Sequence, residues 1–285
     1  MDSTLVDRND GLVTVTFNRP EKKNALNAAN WADLDRVLIE VANNPGDRAL
    51  LLTGAGGNFS SGADLSGGMG SSARGSGHTG TSGHTGTSGH TGTSGLTGRG
   101  RQSILYEMRT VGEIINRLHR LPKPTIAAVD GVAIGVSLGL ALACDLIVAS
   151  DRARFCEVFV KRGLALDGGT SWSLPRHVGL RRAKQIAFMG DWVGAEDALA
   201  WGLINEMVPA EELTKVATAW GRRLASGPTT ALSLIKRMLD ESDSLSFEQA
   251  IEGEARAQHI AYTTKDMAEG IRSFLERREP GFTGV

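Results

Sequence analysis

Twice along this chain a short apolar run stops at glycine and gives way to residues at helical spacing. Residues 49–53 enter Gly54-Ala55-Gly56-Gly57, and residues 124–129 lead through Asp130-Gly131 to the small residues Gly135-Val136-Ser137. Small residues let a backbone turn sharply and approach other atoms closely. Around these junctions the same order repeats. Residues 12–17 alternate β-branched and apolar side chains as a strand does. Residues 27–42 place Trp31, Leu34, Val37, Leu38 and Val41 on one helical stripe, with Asn27 as the N-cap. Residues 101–121 and 140–144 read as helices, and residues 146–150 as a further strand. This alternation predicts an α/β domain and argues against a bundle or a sandwich.

After about residue 202 the texture changes. Residues 209–225, 229–239, 245–261 and 264–278 read as amphipathic helices, punctuated by Ser226-Gly227-Pro228 and Ser242-Asp243-Ser244. The chain is therefore expected to divide into an α/β core over residues 1–202 and a helical C-terminal region over residues 203–285. An all-helical end of this kind packs on the core, on a neighbouring subunit, or on both. Residues 71–100 stand apart. From His78 the hexapeptide His-Thr-Gly-Thr-Ser-Gly occurs three times in tandem, ending at Gly95. A Gly/Ser/Thr tract has little to bury against its ordering entropy, so a flexible insertion is expected. His78, His84 and His90 are read as part of that insertion and not as a metal site.

Charge excludes some functions. The chain has 31 Lys and Arg against 32 Asp and Glu, which leaves no electrostatic footprint for nucleic acid or an anionic membrane. Residues 1–10 alternate charges without the apolar stretch of a secretory signal. The most apolar run, residues 132–144, is too short to span a bilayer and is broken by glycines. Cys144 and Cys156, the two cysteines, sit in apolar segments as buried thiols of a reducing compartment do. These readings predict a soluble, cytoplasmic protein with no nucleic-acid or membrane partner. The glycine-rich turns match neither a P-loop nor a dinucleotide fingerprint. His177 and His259 lack a nucleophile in a triad arrangement.

Asp64, followed by Leu65, is placed to cap a short helix, and each glycine junction taken alone is an ordinary turn. Their combination says more. Asn18-Arg19-Pro20-Glu21-Lys22-Lys23-Asn24-Ala25-Leu26-Asn27 is followed by Ser61-Gly62-Ala63-Asp64-Leu65, then by the run from Lys123-Pro124 to Cys144-Asp145. The series ends in Glu269-Gly270-Ile271-Arg272-Ser273-Phe274-Leu275-Glu276-Arg277-Arg278. In these motifs the sequence resembles the crotonase superfamily, which includes enoyl-CoA hydratases and isomerases. The resemblance covers nearly the whole chain apart from the repeat.

The resemblance implies a crotonase-like spiral of ββα units with a C-terminal all-helical oligomerisation region. It also implies an acyl-CoA substrate and a homotrimer or dimer of trimers. Coenzyme A enters as part of the substrate, with no other cofactor and no metal. Matched residue by residue, it implies that the backbone N–H groups of Ala63 and Val136 receive the thioester oxygen as an enolate forms. The family usually has Gly at the second position; a backbone donor survives Val136, whose side chain narrows the pocket. One such donor is worth ~2.7–4 kcal/mol of barrier. The resemblance further implies substrate contacts at Lys23, Ala25, Leu26, Ser61, Gly62, Asp64, Leu65 and Phe159, with Phe274 and Arg277 reaching a neighbour's CoA. Arg19, Lys22 and Lys23 read either as phosphate contacts or as a solvated basic turn.

The acid or base is set by two departures and one match. The positions at which hydratases of this family carry their two carboxylates fall on Gly139 and Phe159, and neither can move a proton. Asp167, in Gly163-Leu164-Ala165-Leu166-Asp167-Gly168-Gly169-Thr170, falls where several family isomerases place a catalytic acid. One carboxylate suffices to take a proton from one carbon and return it to another. Burial against Phe159, Leu166 and Trp172 is expected to raise its pKa. Local sequence alone reads Asp167 as a turn or cap before a helix starting near Thr170. Glu157 is the reserve, sharing a face with Phe159 if its segment is extended. Asp130, Asp145 and Asp151 read as structural residues at strand ends. The expected activity is enoyl-CoA isomerisation, with an enoyl-CoA hydratase and a non-catalytic CoA-thioester-binding protein as the alternatives.

Overall fold

A computed structural model of the chain describes residues 2–67 and 104–285. The repeat over residues 71–100, with His78, His84 and His90, lies outside the described residues. The main sheet has the strand order β1 (Thr4–Asn9), β2 (Leu12–Phe17), β3 (Ala49–Gly54), β4 (Thr125–Val129), β6 (Leu146–Ser150) and β9 (Glu206–Val208). Only the β1–β2 hairpin is antiparallel; every other neighbouring pair runs parallel.

Both faces of this sheet are covered, which is why its strands read as nearly continuous apolar runs. Val13, Val15, Phe17, Leu50, Leu52, Ala127 and Val129 face one core. Leu12, Ala49, Leu51, Ile126, Ala128 and Val148 face the other. That division follows the two-residue period of a pleated strand. The first core is closed by α1 (Ala28–Asn43), α2 (Ile104–His119), α3 (Val136–Leu142), α4 (Thr170–Met189) and α5 (Ala195–Ala200). The second is closed by α6 (Leu213–Ala225).

Helix α1 starts as its sequence predicts. Asn27 accepts from the Asn30 N–H at 3.0 Å while Asn30 accepts from the Asn27 N–H at 3.1 Å, a reciprocal cap. A second, smaller sheet joins β5 (Val132–Ile134), β7 (Arg154–Cys156) and β8 (Val193–Gly194). Its first strand, β5, runs directly into the glycine junction that opens α3.

Some expectations need correction. The boundary drawn at residue 202 cuts through a packed unit, because β9 completes the main sheet and α6 seals its second face. Strands β1, β5, β7, β8 and β9 went unread. Strand β1 is a charged edge, and edges carry charge to discourage further pairing. The others span two or three residues, too few to show a period. Beyond α6, helices α7 (Thr229–Glu241), α8 (Phe247–Ala261) and α9 (Lys265–Glu276) leave Phe247, Phe274 and Leu275 exposed. Among the described residues, no helix is long and apolar enough to cross a membrane.

Leu52 is fully buried between β2 and β4. Leu52→Ala is expected to lower unfolding stability by ~2–5 kcal/mol, read as a lower urea midpoint with an unchanged slope.

Candidate active site

The site is built on one short backbone pairing. Ser60 bridges Ala133 in parallel fashion: the Ser60 N–H donates to the Val132 carbonyl at 2.9 Å, and the Ile134 N–H donates to the Ser60 carbonyl at 3.2 Å. Ala63 and Val136 each lie three residues beyond this bridge. Two chains that leave a parallel pair at equal offset travel side by side, so the candidate donors emerge on neighbouring paths. A second bridge, Leu26 to Ala63, holds the first path on its other flank. There the Leu26 N–H donates to the Gly62 carbonyl at 2.8 Å, and the Asp64 N–H donates to the Leu26 carbonyl at 2.9 Å. These bonds leave the Ala63 N–H out of the ladder. Among the described residues, neither the Ala63 nor the Val136 N–H has an acceptor.

Glycine is required at two points here. Gly62 has φ +92°, and a Cβ on it would come within 2.7 Å of the Ile134 carbonyl oxygen. Gly135 has φ +55°, and its Cβ would press on the Phe159 ring at 3.2 Å. Gly135 precedes α3, and its own N–H donates to the Cys156 carbonyl at 2.8 Å, continuing the β5–β7 ladder. Ser137, read only as a small residue, fastens the junction. Its hydroxyl accepts from the Ile134 N–H at 2.8 Å and lies 2.8 Å from the Ser60 carbonyl.

Asp167 sits in the loop before α4. The following residue, Gly168, packs against Val136; a Cβ there would lie 3.5 Å from the Val136 Cα. The turn reading accounts for the Asp167 backbone only, since its carbonyl accepts from the Thr170 N–H and hydroxyl. Among the described residues, its side chain caps nothing, and Oδ1 is buried with no hydrogen-bond partner. Burial holds this carboxyl up at about 6. Glu157 is fully buried, and neither of its oxygens has a hydrogen-bond partner among the described residues. Burial first, and then the Asp167 charge, push its carboxyl up to about 8, with Thr170 opposing the rise. Glu157 is not in an extended segment with Phe159, as the strand period would have it: β7 ends at Cys156 and Val158–Arg162 forms a 3₁₀ turn. Phe159 supports Gly135, and the charge that Glu157 meets is that of Asp167.

The other sequence candidates occupy several kinds of place. Leu26 is buried in the core. The main-chain groups of Ala25 and Leu26 are committed to Lys22, Arg19, Gly62 and Asp64. Arg19 is not free for a phosphate: its guanidinium donates to the Ala25 carbonyl at 2.6 Å and to Asp64 at 2.7 Å. The Asp64 carboxylate accepts from Ser66 and Arg19, which hold it well below the usual carboxylate range. It caps the 3₁₀ turn Leu65–Gly67, as its position predicts. Ser61 donates its hydroxyl to the Lys22 carbonyl at 3.1 Å. Leu65 and Lys23 are exposed. Phe274 and Arg277 are exposed at the end of α9. Asp130 and Asp145 are structural as read, and each has a partner the sequence did not disclose: Arg152 for one, Lys236 for the other.

The profile of the family described as Enoyl-CoA hydratase/isomerase matches residues 7–91 and 79–285. The chain belongs to that family. As a hydratase/isomerase family member it is similar to the 1,2-epoxyphenylacetyl-CoA isomerase of Escherichia coli, 35% identical over 100% of this chain and 99% of that one. It is 32% identical to 4-chlorobenzoyl coenzyme A dehalogenase-2 of Arthrobacter, over 95% of this chain and 90% of that one. Among solved structures it resembles the enoyl-CoA hydratase/isomerase of Cupriavidus metallidurans, with a TM-score of 0.83 and 30% identity. That match covers 100% of this chain and 97% of the other. The relatives' names span different reactions, so the reaction must be argued from the site of this family member.

Gly62→Ala forces the loop away from Ile134 and re-aims the Ala63 N–H. Turnover of an acyl-CoA substrate is expected to fall by up to ~10²–10³, the effect of losing one such donor. Circular dichroism of the variant should match the parent.

Proposed function

We propose that this chain is an enoyl-CoA isomerase in which Asp167 moves the proton. The observation that carries this reading is a half-buried carboxyl of raised basicity in the loop whose next residue, Gly168, packs on Val136, at a site whose hydratase positions hold no carboxylate. In the resting state Asp167 is ionised at neutral pH. It takes a proton from the carbon flanking the thioester, and the C–H electron pair flows toward the carbonyl to form a dienolate. The Ala63 and Val136 N–H groups meet the oxygen on which that charge collects, a contact stronger in the transition state than in the ground state. Asp167 then returns the proton to the far carbon, and the double bond comes to rest in conjugation with the thioester. The isomerase name of the Escherichia coli relative accords with this reading.

Hydration is disfavoured by backbone, not only by side-chain identity. A Cβ on Gly139 would lie 2.5 Å from the Gly168 carbonyl oxygen, so a carboxylate cannot be added there without moving the loop that carries Asp167. Phe159 is occupied in packing on Gly135. Water addition needs two carboxyl groups holding one water, and those two positions offer none.

The test is to mix the protein with a 3-enoyl-CoA and follow the absorbance of the conjugated thioester. Turnover is expected, with kcat/KM rising as pH increases through about 6 because the ionised form of Asp167 is the base. Asp167→Asn should lower kcat by ~10²–10⁴. No turnover by the parent, or full turnover by the variant, ends the assignment. Installing both hydratase carboxylates, as Gly139→Glu with Phe159→Glu, is expected to lower the melting temperature. It should add no hydration of crotonyl-CoA.

A further inference from the structure

Three buried carboxyl oxygens have no hydrogen-bond partner among the described residues: both of Glu157 and Oδ1 of Asp167. Buried acceptors are nearly always paired, and an unpaired buried charge is more costly still. Among the described residues, no cation resolves the problem. Arg154 stacks over the Trp192 ring at 4.4 Å, and Lys161 pairs with Asp191 at 3.1 Å. The charges of these three groups bear on the adjacent Cys156 thiol, which burial keeps protonated. Gly190, at the end of α4, packs on the Glu157 carbonyl and brings no charge. Thr170 has already given its hydroxyl to the Asp167 carbonyl. Among the described residues, the one charged group that acts on Glu157 is Asp167.

We propose that Glu157 and Asp167 form a two-carboxyl unit that holds a single proton in the resting protein, Glu157 carrying it and donating it to Oδ1 of Asp167. Glu157 is then a positioning residue that acts through Asp167, in a role the sequence motifs do not assign. One proton serves two of the three oxygens, one of Glu157 and Oδ1 of Asp167. It gives the Asp167 anion a donor, fixes the plane of its carboxylate, and leaves Oδ2 as the basic atom. Two like charges at this depth cannot both form readily, so the unit loses its protons in two steps that belong to the pair.

The inference rests on the isomerase reading and extends it. When Oδ2 takes the substrate proton, an O–H bond forms on Asp167, the C–H bond breaks, and its electron pair becomes part of the dienolate. The pair is then neutral, and the site as a whole still carries one negative charge. Glu157 keeps its proton throughout. Were Glu157 ionised, a second buried negative charge would stand beside the forming dienolate, and Asp167 would lose the donor that aims it.

The experiment compares the parent with Glu157→Gln and Glu157→Met in kcat/KM against pH, using a 3-enoyl-CoA. The parent should lose activity above about pH 8. Glu157→Gln keeps a donor that cannot ionise, so its alkaline decline should vanish while its acid limb stays. Glu157→Met fills the volume without a donor, so its kcat should fall about tenfold or more with KM little changed. An alkaline limb that persists in Glu157→Gln overturns the proposal.

Infrared difference spectra recorded across the same pH range need no turnover. They should show a buried protonated carboxyl at pH 7 that is missing in Glu157→Gln. A band that survives in that variant overturns the proposal even if isomerisation is observed. The expected band without turnover supports the carboxyl pair and places the failure in the assigned reaction.

Discussion

The parallel pairing of Ser60 with Ala133 is the contact on which the rest of the site depends. Two segments far apart in sequence are locked in register by two backbone hydrogen bonds, and each runs on for the same distance to a candidate donor. Ser137 locks the pairing from inside α3, and Leu26 holds the outer flank. A donor fixed in this way needs no rearrangement when charge appears on a bound oxygen, which is where such groups gain their effect over water. It also explains the two glycines. At Gly62 and Gly135 the backbone approaches a carbonyl or a ring so closely that a side chain has no space.

Much of this architecture was legible in the sequence because its signals are periodic. The strands at residues 12–17, 49–54, 125–129 and 146–150 are buried on both faces, and the apolar runs say so. Asn27 announced a helix start through its capping side chain, and it accepts the expected backbone N–H. What escaped was short or charged. Strand β1 hides behind Asp7 and Arg8, though the Asp10-Gly11 turn that closes its hairpin, with positive φ at both residues, was a usable sign. Strands of two or three residues have no period to read, and their pairing is a property of the packed fold.

The candidate site shows the same division. Ala63, Val136 and Asp167 could be named only through the family resemblance, because taken locally each sits in an ordinary turn. The relation of Glu157 to Asp167 could not, since ten residues, a 3₁₀ turn and a loop separate them in the chain. Nor did charge reveal its partners: Asp145 finds Lys236 and Asp130 finds Arg152, both across gaps that no local rule spans. A buried and a half-buried carboxyl with no cation beside them among the described residues work against stability, and natural proteins keep such arrangements mainly where chemistry needs them. That cost is why the pair points to function more clearly than the surface ion pairs do.

The internal pairing of Arg19 with Asp64 has an evolutionary corollary. This arginine sits in a basic turn and looks ready to receive an anion, yet it is shielded and employed in tying the turn to the loop beyond Ala63. Lys22, on the outside of the same turn, reaches Ser66 at 2.9 Å and Asp64 at 3.6 Å, and Lys23 stands exposed beside it. Arg19 and Lys22 thus both tie the turn to the loop. A lineage can exchange the exposed Lys23 and leave the scaffold underneath undisturbed, whereas Lys22 is bound into it.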